Sequence, residues 1–151
     1  MVADPTIGTQ PLTTQTVCQN AASTVLTFTN NGGTGSISYQ WFSNTANSNT
    51  GGTNLGSGNG AQTISYTPPT NVAGTLFYYC TVTRGGSGCG SVSTNTAQVI
   101  VNPTPTISNQ SLTVCSGTPF NITPSGSATY QWATPTGSGF SGGAAGGPGA
   151  A

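Results

Sequence analysis

The chain has 151 residues, of which 1% are charged, against roughly 25% in ordinary soluble domains; Asp4 and Arg84 are the two charged side chains, and there is no histidine. That composition excludes paired-carboxylate or histidine acid/base catalysis, histidine metal sites, and a basic surface for phosphate or nucleic acid. Hydrophobic residues make up 33% of the chain and fall in short alternating runs between turn signals, which predicts a folded all-β protein and not a disordered tract. No apolar run approaches the roughly 18 residues that span a bilayer, so membrane insertion is not expected. Residues 1–10 carry no basic start and no apolar stretch, so no export signal is visible there.

Taken in chain order, a proline-containing joint, "ADPTIGTQP", leads into a first strand ending at Thr-Val-Cys18. In "STVLTFT" Leu26 and Phe28 share one face and Val25 and Thr27 the other, and the larger pair is assigned to the core. In "SISYQWF" Ile37, Tyr39 and Trp41 face inward while Gln40 and Phe42 face outward. "AQTISYT" is read as a strand contributing Ile64 to the core. In "GTLFYYCTVT" one set is Leu76, Tyr78, Cys80 and Val82, the other Phe77, Tyr79 and Thr81; Tyr78 stands two residues before Cys80, as in a tyrosine corner. "NTAQVIVNP" supplies the last strand. Burial of Trp41, Tyr78, Phe28, Leu26 and Ile64, at about 1.5–3 kcal/mol each, is expected to drive folding of this unit.

A second joint, "VNPTPTISNQ", is followed by "SLTVCSGTPFNITPSGSATYQWA", which repeats the Val-Cys and Tyr-Gln-Trp signals of the first unit with Cys115 and Trp132 in the places of Cys18 and Trp41. The predicted organisation is therefore two β-sandwich units, residues 1–103 and 104–151. The second is too short to supply its later strands and reads as truncated.

If Phe42, Phe77 and Tyr79 project from adjacent strands of one outer face, they form an aromatic patch able to stack on sugar rings or to anchor a partner; such cross-strand pairs also simply stabilise sheets. The four cysteines lack the paired spacing of a zinc site and read as disulfide formers in an oxidising, extracellular setting. A Cys18–Cys89 bond would tie two neighbouring strands, and a Cys80–Cys89 bond would staple the last hairpin. A third arrangement leaves Cys80 as a buried thiol against Trp41. The partner of Cys115 is expected beyond residue 151. Asp4 and Arg84 fall in different predicted loops and cannot together run a hydrolytic reaction. No cofactor and no metal are expected.

The stretches "TVCQNA…YQWFSN…FYYCTVT…GCGSVSTNTAQVIVNP" resemble the immunoglobulin-like repeats of very large Bacteroidota surface proteins, and "VCSGTPFNITPSGSATYQWATPTGSGFSGG" resembles the start of the PKD-like repeats found beside them. The resemblance implies tandem immunoglobulin-like sandwiches and favours the Cys18–Cys89 pairing, with Cys80 departing from the two-cysteine pattern. It further implies a non-catalytic stalk and surface-contact segment of a giant cell-surface adhesin of the SprB type, exported by type IX secretion and used in gliding motility. The partners so implied are neighbouring repeats, surface polysaccharide, and secretion or motility machinery. A second implied role is that of a carbohydrate-binding accessory module in a secreted hydrolase, with Phe42, Phe77 and Tyr79 as its platform.

Overall fold

A computed structural model describes residues 4–32, 35–85, 90–106, 115 and 117. The chain divides into two units, Met1–Pro103 and Thr104–Ala151. Trp132 lies outside the described residues, and in the second unit Cys115 is an exposed free thiol. The fold is all-β.

The first unit contains β1 (Thr6–Ile7), β2 (Thr14–Cys18), β3 (Leu26–Thr27), β4 (Asn30–Asn31), β5 (Ile37–Asn44), β6 (Thr53–Asn54), β7 (Ser65–Tyr66), β8 (Gly74–Arg84), β9 (Ser91–Ser93) and β10 (Ala97–Asn102). The main sheet has the order β2-β10-β8-β5-β6, with β9 also paired to β8. All its pairings are antiparallel except β2 with β10, which run parallel from Thr14↔Gln98 to Cys18↔Asn102. Two short ladders, β3–β7 and β1–β4, complete the described strands.

Alternation decides which side chains enter the core. The long strands β5 and β8 are rich in aromatic and β-branched residues that suit a pleated surface, and eight consecutive residue pairs hold them in register, with Trp41 opposite Cys80. Tyr78, Cys80 and Val82 of β8 and Ala97, Val99 and Val101 of β10 are buried on the inner face. Leu26 and Tyr66, opposite each other in β3–β7, are buried with Phe28 against that face. The layers meet through aromatic contacts: Phe28 lies edge-on to Trp41 with ring centroids 5.8 Å apart, Trp41 stacks on Tyr66 at 5.7 Å, and Tyr66 tilts against Tyr78 at 5.6 Å. Ile37 and Tyr39 are partly buried and pack on the margin of this cluster.

Polar groups that enter the core are satisfied. The Trp41 indole donates to the Thr63 carbonyl at 2.9 Å. The Gln15 carboxamide donates to the Thr24 carbonyl at 2.9 Å and accepts from the Thr24 amide at 2.7 Å. Thr94, fully buried, accepts the Cys80 amide on its hydroxyl at 3.0 Å.

Two core expectations need correction. Ile64 is 43% exposed, because it sits in the bend before β7 and the period of two begins only at Ser65. Gly60, at φ +84°, turns the chain so tightly there that a Cβ would lie 2.2 Å from the Ser65 carbonyl oxygen; Tyr66 takes the core place intended for Ile64. Leu76, one end of the inner-face set of β8, is 36% exposed, since the β3–β7 ladder is too short to cover it.

Candidate functional site

The outer face of β5 and β8 brings the predicted aromatics together but does not expose all of them. Phe42 and Tyr79 are direct cross-strand partners whose rings stack at 5.2 Å with an interplanar angle of 11°. Phe77 lies two residues along β8, opposite Asn44, and like Phe42 is half-buried. Tyr79, however, is only 3% exposed, so the expected three-membered open platform is not present. Its hydroxyl accepts the Gly52 amide at 3.0 Å, and Gly52 lies so close that a Cβ there would sit 2.8 Å from the Ser43 carbonyl oxygen and 2.9 Å from the Tyr79 ring. The Gly51-Gly52 pair in the sequence was the available signal that a backbone passes flat over a ring at this point.

Of the arrangements expected for the cysteines, the described residues show the one that leaves Cys80 as a buried thiol. Cys18 and Cys80 are both free thiols. Cys89 lies outside the described residues, but its chain neighbour Gly90 hydrogen-bonds Asp4 at the end of the sheet where β8 finishes at Arg84. Cys18 pairs with Asn102 at the opposite end, next to Gly74. The 11 residues of β8 separate those ends by roughly 33 Å. Cys80 points into the core opposite Trp41; burial pushes its thiol from the ordinary 9.0 up to about 12, which leaves it an inert packing group. Tyr78 is likewise pushed up to about 12, first by burial and then by Tyr66 beside it.

The two ends of the sheet form distinct poles. At the Arg84 pole the Asp4 carboxylate accepts the Gly90 amide at 3.1 Å, and the Arg84 guanidinium donates to the Gly35 carbonyl at 3.2 Å and to the Gly32 carbonyl at 2.5 Å. Both formal charges of the chain thus gather at one pole, although they come from segments 80 residues apart. Each is held by neutral backbone groups. At the Gly74 pole an apolar groove of about 390 Å³ opens between the loop 69–73 and the uncovered inner face of β8 and β10. Val72 and Leu76 rim it, and Tyr78, Val99 and Val101 form its floor.

The course of the chain connects the poles. It enters beside Gly90 at the Arg84 pole through Asp4 and β1, and it leaves β10 at Asn102 and Pro103 at the Gly74 pole. Among the described residues no three His, Cys, Asp or Glu side chains gather into a cluster that could hold a metal.

No curated protein and no solved structure matches the chain. The family model for a domain of unknown function, DUF8696, matches residues 7–103, from the end of β1 through β10, and the chain belongs to that family.

Proposed function

We propose that the β1–β10 unit is a non-catalytic extracellular spacer repeat of a cell-surface adhesin, which adds reach between a cell and a distal contact. The observation that carries this reading is the polar arrangement of its ends: the chain enters at the Arg84 pole and leaves at the Gly74 pole, so each such unit contributes its long dimension to whatever chain it is strung on. Proline-containing joints at Pro5 and at Pro103 and Pro105 flank the unit and limit bending there.

The strand order supports an immunoglobulin-like description. A main sheet with a parallel terminal pair faces a small ladder made from β3 and β7, the arrangement of a sandwich whose aromatic centre is Trp41. The extracellular placement rests on the neutral surface of hydroxyl and amide groups and on the family resemblance, since the disulfides that first suggested it are not formed by Cys18 or Cys80. The carbohydrate-platform alternative is weakened by the burial of Tyr79.

An antibody raised against residues 7–103 tests the reading on intact cells that make the protein. Labelling of unpermeabilised cells, and its loss after treatment with a protease that does not cross membranes, is expected. Labelling that needs permeabilisation and survives the protease overturns it.

A further inference from the structure

We infer that the parallel pair β2–β10 is a shear clamp that sets how much tension the unit withstands. The inference rests on the spacer reading, because a spacer between cell and contact is pulled through both of its ends. In this unit those pulls meet at one ladder.

The geometry follows from chain direction alone. β2 and β10 run side by side toward the Gly74 pole over five registered pairs, Thr14↔Gln98 through Cys18↔Asn102. The ladder is closed at one end by the Gln98 amide donating to the Thr13 carbonyl at 2.8 Å, and at the other by the Gln19 amide donating to the Asn102 carbonyl at 2.8 Å. Tension at the N-terminal side draws β2 back toward the Arg84 pole. Tension at the C-terminal side draws β10 onward past the Gly74 pole. The two strands are therefore displaced in opposite senses along their own axes, and the slanted, evenly spaced hydrogen bonds of a parallel ladder are all strained together. Had the terminal strands been antiparallel, with both ends at one pole, the same pull would open the ladder one pair at a time.

The elements outside the clamp are weaker and give way first. On the N-terminal side the load reaches β1, which holds β4 through two residue pairs, with the Gly8 amide on the Thr29 carbonyl and the Thr29 amide on the Thr9 carbonyl beside them. On the far side of β10, five antiparallel pairs to β8 keep that strand seated, and Val99 and Val101 anchor it in the core. β2 itself is fastened from within: Val17 packs on the core, and the Gln15 carboxamide grips the Thr24 backbone. Slipping β2 along β10 by one residue would expel Val17 and Gln15 to the solvent face.

Single-molecule pulling of the full chain in two attachment geometries tests the clamp. In a Cys89→Ser, Cys115→Ser background, Cys18 is the one exposed thiol, since Cys80 is buried. One set of molecules carries handles at the N- and C-termini, which loads β2–β10 in shear. The other carries handles at Cys18 and the C-terminus, which peels the same ladder from its Cys18–Asn102 end. The step to score releases about 300 Å of chain, as expected for most of the first unit at up to 3.6 Å per residue. Rupture force in that step is expected to be about twofold or more higher in the terminal geometry, because forced unfolding follows the barrier along the pulling direction. Equal forces in the two geometries overturn the clamp while leaving the spacer reading to the surface-labelling result; a high shear force in a protein found inside cells overturns the spacer reading and leaves the clamp as a property of the fold.

Discussion

Cys80 and Tyr78 are core residues whose chemistry shows only when the pH is raised. Both are buried on the inner face of β8, and burial holds the thiol and the phenol in their neutral forms, each up to about 12 from ordinary values of 9.0 and 10.0. The sign follows from proton linkage. A group whose folded pKa is raised gives its full stabilisation below the unfolded value and loses it as pH climbs toward the folded value. The Cys80 contribution is therefore complete below about pH 9 and lost between there and about 12, and that of Tyr78 is lost between about pH 10 and 12. Urea unfolding midpoints should fall progressively above pH 9. A Cys80→Ala, Tyr78→Phe variant, whatever its stability at neutral pH, should show a shallower alkaline decline; an identical decline would place the sensitivity elsewhere.

At the scale of elements, the short ladder β3–β7 cannot hold itself, since two residue pairs make no stable sheet. Its attachment to the main sheet is partly apolar, through Leu26 and Tyr66, and partly polar, through Gln15. The two hydrogen bonds between that carboxamide and the Thr24 backbone imitate a strand pairing where no strand pairs. Gln15→Met keeps the bulk and hands the exposed Thr24 amide and carbonyl to water, at an expected loss of about 0.5–1.5 kcal/mol. Chemical denaturation measures the loss, and faster hydrogen exchange at the Thr24 amide assigns it to this link. An unchanged Thr24 exchange rate would mean that the bonds hold nothing together.

The same scale shows what could be read before the fold was seen. The faces of β5 and β8 were legible because eight or more residues of alternation outweigh any single deviation, and Trp41, Tyr78, Leu26 and Phe28 went where their spacing put them. Ile64 was not legible, because the turn at Gly60 holds the chain in a bend until the strand begins at Ser65, and alternation carries no information across a turn. Tyr79 was assigned to the face it shares with Phe42, on which it stacks. Its burial comes from Gly52, 27 residues away, which no periodicity along β8 encodes. The cysteine pairing was not legible, because spacing along strands does not say at which end of the sheet a cysteine comes to stand, and Cys89 lies outside the described residues.

For the whole molecule, the distribution of charge is as informative as its amount. Asp4 and Arg84 sit at one pole, each hydrogen-bonded to uncharged backbone, so the flanks of the unit and its Gly74 pole present hydroxyl, amide and apolar groups alone. Stability then comes from aromatic and aliphatic burial and from hydrogen bonds, which salt screening does not reach. Raising NaCl from about 0.01 M to about 0.3 M shortens the Debye length from roughly 30 Å to well under 10 Å, enough to erase surface electrostatics in an ordinary protein. Here the urea midpoint should stay constant across that range, and so should the retention of the full chain on any surface it adheres to. Such insensitivity suits a spacer that meets media of changing ionic strength, because its reach and its weak contacts then do not vary with the salt around it. Retention that falls steadily with salt would reveal a charged contact, and with one cation and one anion in 151 residues, that contact would have to involve Arg84 or Asp4.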